Sequence, residues 1–313
     1  MKRLYFILIA MLTITLAACS SDFDLPDVEM PNIQVPTVEM PNIQVPTIEA
    51  PNIELPASQP GELITVNVAE EEPVPGGAAR VEIEMGGGTL NLSGGGTGLV
   101  NGTIEYNIAD WEPRITRSES TVRIEQDLDA IPIPQTGREM VNRWNLQLGD
   151  TPMALEINAG AYEGTINLSG VPLLELDIEG GANDSEVRFD APNPENMTSF
   201  EFSTGASNVD LFGLGNANFT KMTFNGAAGD YMLDFSGQPK QESTVDVTGA
   251  VGQVTVRVPA GRSTTVNVSG GLNDVDTTGP WQVNENTYTL GGSGPLLTIN
   301  VEMAVGNLQL VSE

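Results

Sequence analysis

The segment LEINAGAYEGTINLSG (Leu155–Gly170) alternates apolar and polar residues on both sides of a small-residue break, and the chain keeps returning to that layout. It recurs as LDIEGGANDSEVRFDAP from Leu176, FEFSTGASNVDLFGLG from Phe200, MTFNGAAGDYMLDFSG from Met222, VDVTGAVGQVTVRVPAG from Val245, VNVSGGLNDVDTTG from Val266 and LTINVEMAVGNLQLVS from Leu297. The turn residues Gly160, Gly181, Gly205, Gly226, Gly249 and Gly270 are 21, 24, 21, 23 and 21 residues apart. Alternation with period two marks strands, and self-similarity at a period in the twenties marks a solenoid. A single unit cannot bury its apolar side chains, whereas stacked units can. The expected inner rows are Leu155, Leu176, Phe200, Met222, Val245, Val266, Leu297 and, beside it, Ile157, Ile178, Phe202, Phe224, Val247, Val268, Ile299. Glycine at the corner supplies positive φ or lets backbones approach closely. The expectation is an all-β parallel β-helix of about seven rungs. A β-sandwich is the alternative, although it would not call for so regular a unit.

Upstream, VEIEMGGGTLNLSGG from Val81 is an outlying relative of the unit. The run NGTIEYNIADWEPRITRSESTVRIEQ (101–126) reads as strands around a Trp111–Pro113 bend. A loop from Asp127 to Met140 separates this part from the solenoid, and Arg138, Arg143 and Trp144 follow it closely. Aromatic plus arginine suits either sugar stacking or a cap over the open end of a solenoid.

Charge is one-sided: 13 Lys+Arg face 42 Asp+Glu, a net −29. Nucleic acid and anionic lipid surfaces would be repelled. The chain has no histidine, so a Ser-His triad, a Cys-His pair and a His-ligated metal are all excluded. Carboxylate chemistry and oxygen-ligated hard cations remain.

The N-terminus reads MKRLYFILIAMLTITLAACSS, two basic residues followed by an apolar run from Leu4 to Ala18. Fifteen residues are too few for a comfortable membrane span and suit a signal-peptide core. Leu16-Ala17-Ala18-Cys19 resembles the lipobox of bacterial lipoproteins, which implies a diacylglycerol thioether on Cys19 as the mature N-terminus. Cys19 is the only cysteine, so no internal disulfide can form.

From Phe23 to Ala57 run seven pentads, FDLPD, VEMPN, IQVPT, VEMPN, IQVPT, IEAPN and IELPA. Proline at every fifth position removes amide donors and excludes both helix and central strand. An extended stalk remains, with a reach of roughly 110 Å at polyproline rise. The alternative is that its regularly spaced Val, Ile and Met residues lie along another surface.

The order of elements resembles the bacterial toast-rack envelope proteins. The matching residues are Gly86-Gly87-Gly88, then Tyr106 to Pro113 (YNIADWEP), and the turns at 158–161, 204–206 and 213–219. The resemblance covers residues 62–313 and implies a single right-handed β-helix preceded by a smaller β segment. It also implies an envelope role of the kind found in proteins of cell-wall-active antibiotic responses, and it brings no catalytic residues. The expected organisation is a signal peptide (1–18), lipidated Cys19 with the stalk (19–60), a β segment (61–144) and the solenoid (145–313).

On the outward positions Glu156, Asp177 and Glu201 would stack, with Asp246 two rungs further on. Such a row suits either a cation such as Ca2+ or simple solvation. The long insertion between Asn273 and Leu296 offers Trp281 and Tyr288 as ligand contacts. The GGG and GGSG runs lack a following Lys-Ser/Thr and a helix, so they are turns rather than phosphate cradles. The resulting expectation is a lipid-anchored envelope protein with a non-catalytic, adhesin- or scaffold-like role and no catalytic residues or obligate cofactor. Its partners would be the membrane through the lipid and an envelope glycan or membrane protein. The alternatives are an envelope-stress component and a polysaccharide-active enzyme.

Overall fold

The computed structural model describes residues 60–72, 77–126, 139–271 and 274–313. The lipobox, Cys19, the pentads and Arg138 lie outside the described residues. In chain order the strands are β1 (Ile64–Glu70), β2 (Ala79–Gly94), β3 (Val100–Tyr106), β4 (Arg114–Ser118), β5 (Thr121–Glu125), β6 (Asn142–Leu148), β7 (Met153–Asn167) and β8 (Leu173–Arg188). They continue with β9 (Met197–Phe212), β10 (Phe219–Asp234), β11 (Ser243–Val258), β12 (Arg262–Gly270), β13 (Asp274–Thr278), β14 (Gln282–Asn284), β15 (Thr287–Leu290) and β16 (Ser293–Ser312). A single helical turn, α1 (Leu214–Ala217), and a 3-10 turn at Ala109–Trp111 interrupt them. All sixteen strands belong to one mixed sheet, open at both ends.

The rungs are the long strands β2, β7, β8, β9, β10, β11 and β16, stacked parallel and in register. β2 lies before residue 145 yet pairs Val81 with Leu155 and Ile83 with Ile157, so the sheet crosses 144/145 without interruption. One inner row runs Val81, Leu155, Leu176, Phe200, Met222, Val245, Ile299, Val266. All eight are at most 2 % exposed, and each such burial is worth about 1.5–3 kcal/mol. Where the rungs carry phenylalanine the rings pack on one another: Phe202 stacks on Phe224 at 5.5 Å, and Tyr231 meets Phe224 edge-on at 5.1 Å.

Two features of the expected row are corrected. Ile299, not Leu297, pairs with Val245, and β16 lies between β11 and β12 rather than beyond β12. The reason is continuity. β16 is 20 residues long and covers β11 on both sides of the corner, whereas the preceding rung is split into β12 and β13. The complete strand therefore takes the inner position and the split pair lies outside it. The other end repeats the device, with β5 and β6 lying on the two halves of β2. Antiparallel strands cover these outer rungs: β4 on β5, β3 and then β1 on β6, β15 and then β14 on β12. Such covers limit runaway edge pairing.

The corner glycines divide by mechanism. A Cβ on Gly205 would sit 2.1 Å from the Gly181 carbonyl oxygen, so close approach excludes any side chain there. Positive φ appears three residues after the corner glycine in the rungs of Gly226 and Gly249, at Gly229 (φ +155°) and Gly252 (φ +139°), which pair with each other. The expected alignment of Gly205 with Gly226 is off by one residue, because Gly226 pairs with Thr204.

Irregular return segments form a third wall. Asn193, fully buried, donates from Nδ2 to the carbonyls of Leu173 (2.9 Å) and Ala217 (3.1 Å). Its Oδ1 accepts the amides of Leu173 (3.1 Å) and Glu195 (3.0 Å). Asn216 donates to the Phe189 carbonyl at 2.7 Å and Asn218 to that of Glu195 at 2.6 Å. These amides do for the return segments what ladder hydrogen bonds do for the strands.

Candidate functional site

The rungs turn two polar faces to solvent, one on each side of the glycine corner. On the first face the register sets out Arg123, Glu82, Glu156, Asp177, Glu201, Thr223, Asp246, Asn300 and Asn267 as one row. Its ends are compensated. Arg123 meets Glu82 (3.6 Å), Glu84 and Glu125, Arg80 meets Glu156 (3.3 Å), and Lys221 meets Asp246 (3.6 Å). Among the described residues, Asp177 and Glu201, in the middle, form no ion pair. Partial burial, and then the charges of Glu201, Glu156 and Glu179, push the Asp177 carboxyl above its ordinary range. Beyond Asp246 the row becomes neutral, with Asn300 donating to Asp246 (2.9 Å) and Asn267 to Asn300 (3.0 Å).

Among the described residues no group of three acidic, histidine or cysteine side chains converges to hold a metal ion. The reason is geometric: stacked strands place carboxylates side by side on a flat face, about 4.8 Å apart, rather than around a point. The structure therefore gives no particular support to Ca2+ at Glu156, Asp177 and Glu201.

Trp281 and Tyr288 are both partly buried against the core. Tyr288 pairs with Val266 in the β15 cover strand, and Trp281 Nε1 donates to the Thr278 carbonyl at 3.1 Å. Trp144 is fully buried and donates to Asn142 Oδ1 at 2.9 Å, while Arg143 pairs with Glu105 at 2.8 Å. Of the two readings of that cluster, Trp144 follows the packing one.

On the second face acids again follow one another through β7 to β10, including Glu163, Asp184, Glu186, Asp210 and Asp230. Burial, Glu186 and Asp184 raise the Asp210 carboxyl. The same face changes character toward the N-terminal end. There Asn91, Ser93, Thr103, Asn145, Gln147, Thr165 and Asn167 line a shallow trough of about 380 Å3 with no charged side chain. Sequence reading passed over these residues, although Asn91-Leu92-Ser93 and Asn145-Leu146-Gln147 repeat one pattern in two strands that prove adjacent. A further groove of about 560 Å3 follows the corner past Gly180, Gly205, Gly226 and Gly249, flanked by Glu179 and Glu302. No described helix is long and apolar enough to cross a membrane.

Residues 62–211 match the family model described as the N-terminal domain of toast_rack. No curated protein matches the chain. Among solved structures, a "putative cell adhesion protein" from Clostridium sporogenes is 21 % identical, with TM-score 0.44, over 82 % of this chain and 100 % of its own. A "putative adhesin" from Bacteroides fragilis is 8 % identical, with TM-score 0.32, over 80 % of this chain and 97 % of its own. The rung strands β2, β7, β8 and β9, with the N-terminal strands that cover them, fall almost wholly within the matched stretch, and residues 62–211 of this chain belong to the toast-rack family.

Proposed function

We propose that this is a cell-envelope lipoprotein whose right-handed β-helix, carried on the proline-pentad stalk, presents a non-catalytic, adhesin- or scaffold-like binding surface. The observation that carries the reading is the pair of outer faces built from in-register rows of polar side chains over a continuous apolar core. Such a surface suits binding along its length. Catalysis needs groups converging on one reacting atom, and Glu156, Asp177 and Glu201 instead stand side by side on an open sheet. The lack of histidine and the toast-rack match over 62–211 support the same reading. The signal-peptide pattern and Cys19 supply the anchor, so the polar faces would be displayed outside the membrane.

Two measurements test this. Wild type should fractionate with membranes and Cys19→Ser should be released; wild type found wholly soluble would refute the anchor. In-cell crosslinking of the full-length chain should recover envelope glycan. Recovery of one membrane protein and no glycan would replace the adhesive reading with an envelope-stress component.

A further inference from the structure

The trough on the second face is neutral in a protein of net charge −29. Across β3, β6, β2 and β7 one row is Thr103, Asn145, Asn91, Thr165. The row beside it is Asn101, Gln147, Ser93, Asn167. Charge resumes in the row beside Thr103 and Asn145, with the Arg143–Glu105 pair, and on the rung beyond β7, with the Arg188–Glu186 pair, whereas beyond β3 the two rows meet the uncharged Asn67 and Ala69 of β1. Four strands at about 4.8 Å spacing make this strip about 14 Å long.

Its hydrogen-bonding groups are half used. Asn91 Nδ2 donates to Asn145 Oδ1 at 2.9 Å and Asn101 Nδ2 to Gln147 Oε1 at 3.3 Å, which fixes the orientation of both acceptor amides. Asn167 Oδ1 accepts the Ser169 amide at 3.1 Å. The NH2 groups of Asn145, Gln147 and Asn167 and the hydroxyls of Ser93, Thr103 and Thr165 have no protein partner among the described residues. The strip thus offers fixed donors interleaved with hydroxyls that both donate and accept.

We infer that this strip binds a neutral glycan chain, lying across the strands, through amide and hydroxyl hydrogen bonds to sugar hydroxyls. The ligand class follows by complementarity. Polyanions are repelled by the net charge, and cationic partners are drawn to the acidic rows. A protein partner wants aromatic or arginine anchors, and the strip has none. A neutral polyol matches both its lack of charge and its unspent donors. The inference rests on the adhesive reading and names its ligand class.

The test is saturation-transfer NMR on the full-length chain in neutral detergent with chitotetraose, cellotetraose and maltotetraose, and oligogalacturonate as the acidic counterpart. At least one neutral tetramer should bind at millimolar concentration and the acidic one should not. Gln147→Glu should weaken binding about tenfold, the cost of one lost charge-neutral contact set of about 1.4 kcal/mol. Thr165→Arg, at an exposed position without a side-chain hydrogen bond, should abolish it, and Glu201→Gln on the other face should leave it unchanged. Binding by none of the neutral tetramers, or undiminished binding by both strip variants, overturns the inference. Retention of envelope glycan in cells by the Thr165→Arg chain would overturn the strip while leaving the adhesive reading intact.

Discussion

Asn193 is the most exacting test of how the third wall is held. Replacing it with alanine strands the Leu173 amide and the Leu173 and Ala217 carbonyls in a fully buried setting, while the half-buried Glu195 amide can turn to water. An unsatisfied buried backbone group costs about 1–3 kcal/mol. Taking the lower half of that range for each of three groups gives a loss of about 3–6 kcal/mol. Equilibrium urea unfolding of the full-length chain, followed by circular dichroism, should show the midpoint falling accordingly with the slope retained. Asn193→Asp keeps the acceptor but loses both donations and sets a carboxylate against two carbonyls, so it should be no less damaging. A loss below about 1 kcal/mol for the alanine variant, or an aspartate variant as stable as wild type, would refute the staple argument.

Three further outcomes follow from the packing and the charges. Asp177→Asn should raise the urea midpoint near pH 7. The folded-state carboxyl titrates above its unfolded value, so the native state holds the proton longer and this group's contribution to stability falls as pH rises through that window. The gain should therefore fade as pH drops into the ordinary carboxylate range, and a gain that persists there would contradict the electrostatic cause. Gly252→Ala places a Cβ 1.9 Å from the Gly229 carbonyl oxygen at φ +139° and should cost more than about 2 kcal/mol, read as a fall in Tm. Arg262 is buried and, among the described residues, its guanidinium donates to one acceptor, the Phe235 carbonyl at 2.9 Å; burial pulls its pKa down to about 10. Arg262→Met should be neutral or stabilising by about 1 kcal/mol in the same urea assay, and a large loss would show that the guanidinium does more than fill space.

The strand character, the parallel stacking and the inner rows were legible in the sequence because period-two alternation is local, and the glycine recurrence aligns units without knowledge of their partners. The same alignment gave the outward row Glu156, Asp177, Glu201, since a residue between two inward ones must face out. It failed at Leu297 for a physical reason. Similarity between units says which residues are equivalent, but not which rung lies next to which, and the split of β12 from β13 gave the inner position to β16. The third wall was equally hidden, because Asn193, Asn216 and Asn218 act through hydrogen bonds between return segments that have no periodic pattern.

By itself, then, the sequence determined what repeats and which side of each strand is apolar, because both are set by neighbours along the chain. Tertiary structure alone decided the order of the rungs at the two ends and the covering of their edges. It also decided the meeting of Asn91 with Asn145 and of Asn101 with Gln147 in a neutral strip, 54 and 46 residues apart in sequence. Those contacts depend on which strands become neighbours, and that is settled by the continuous burial and hydrogen bonding of whole rungs, which no single segment carries.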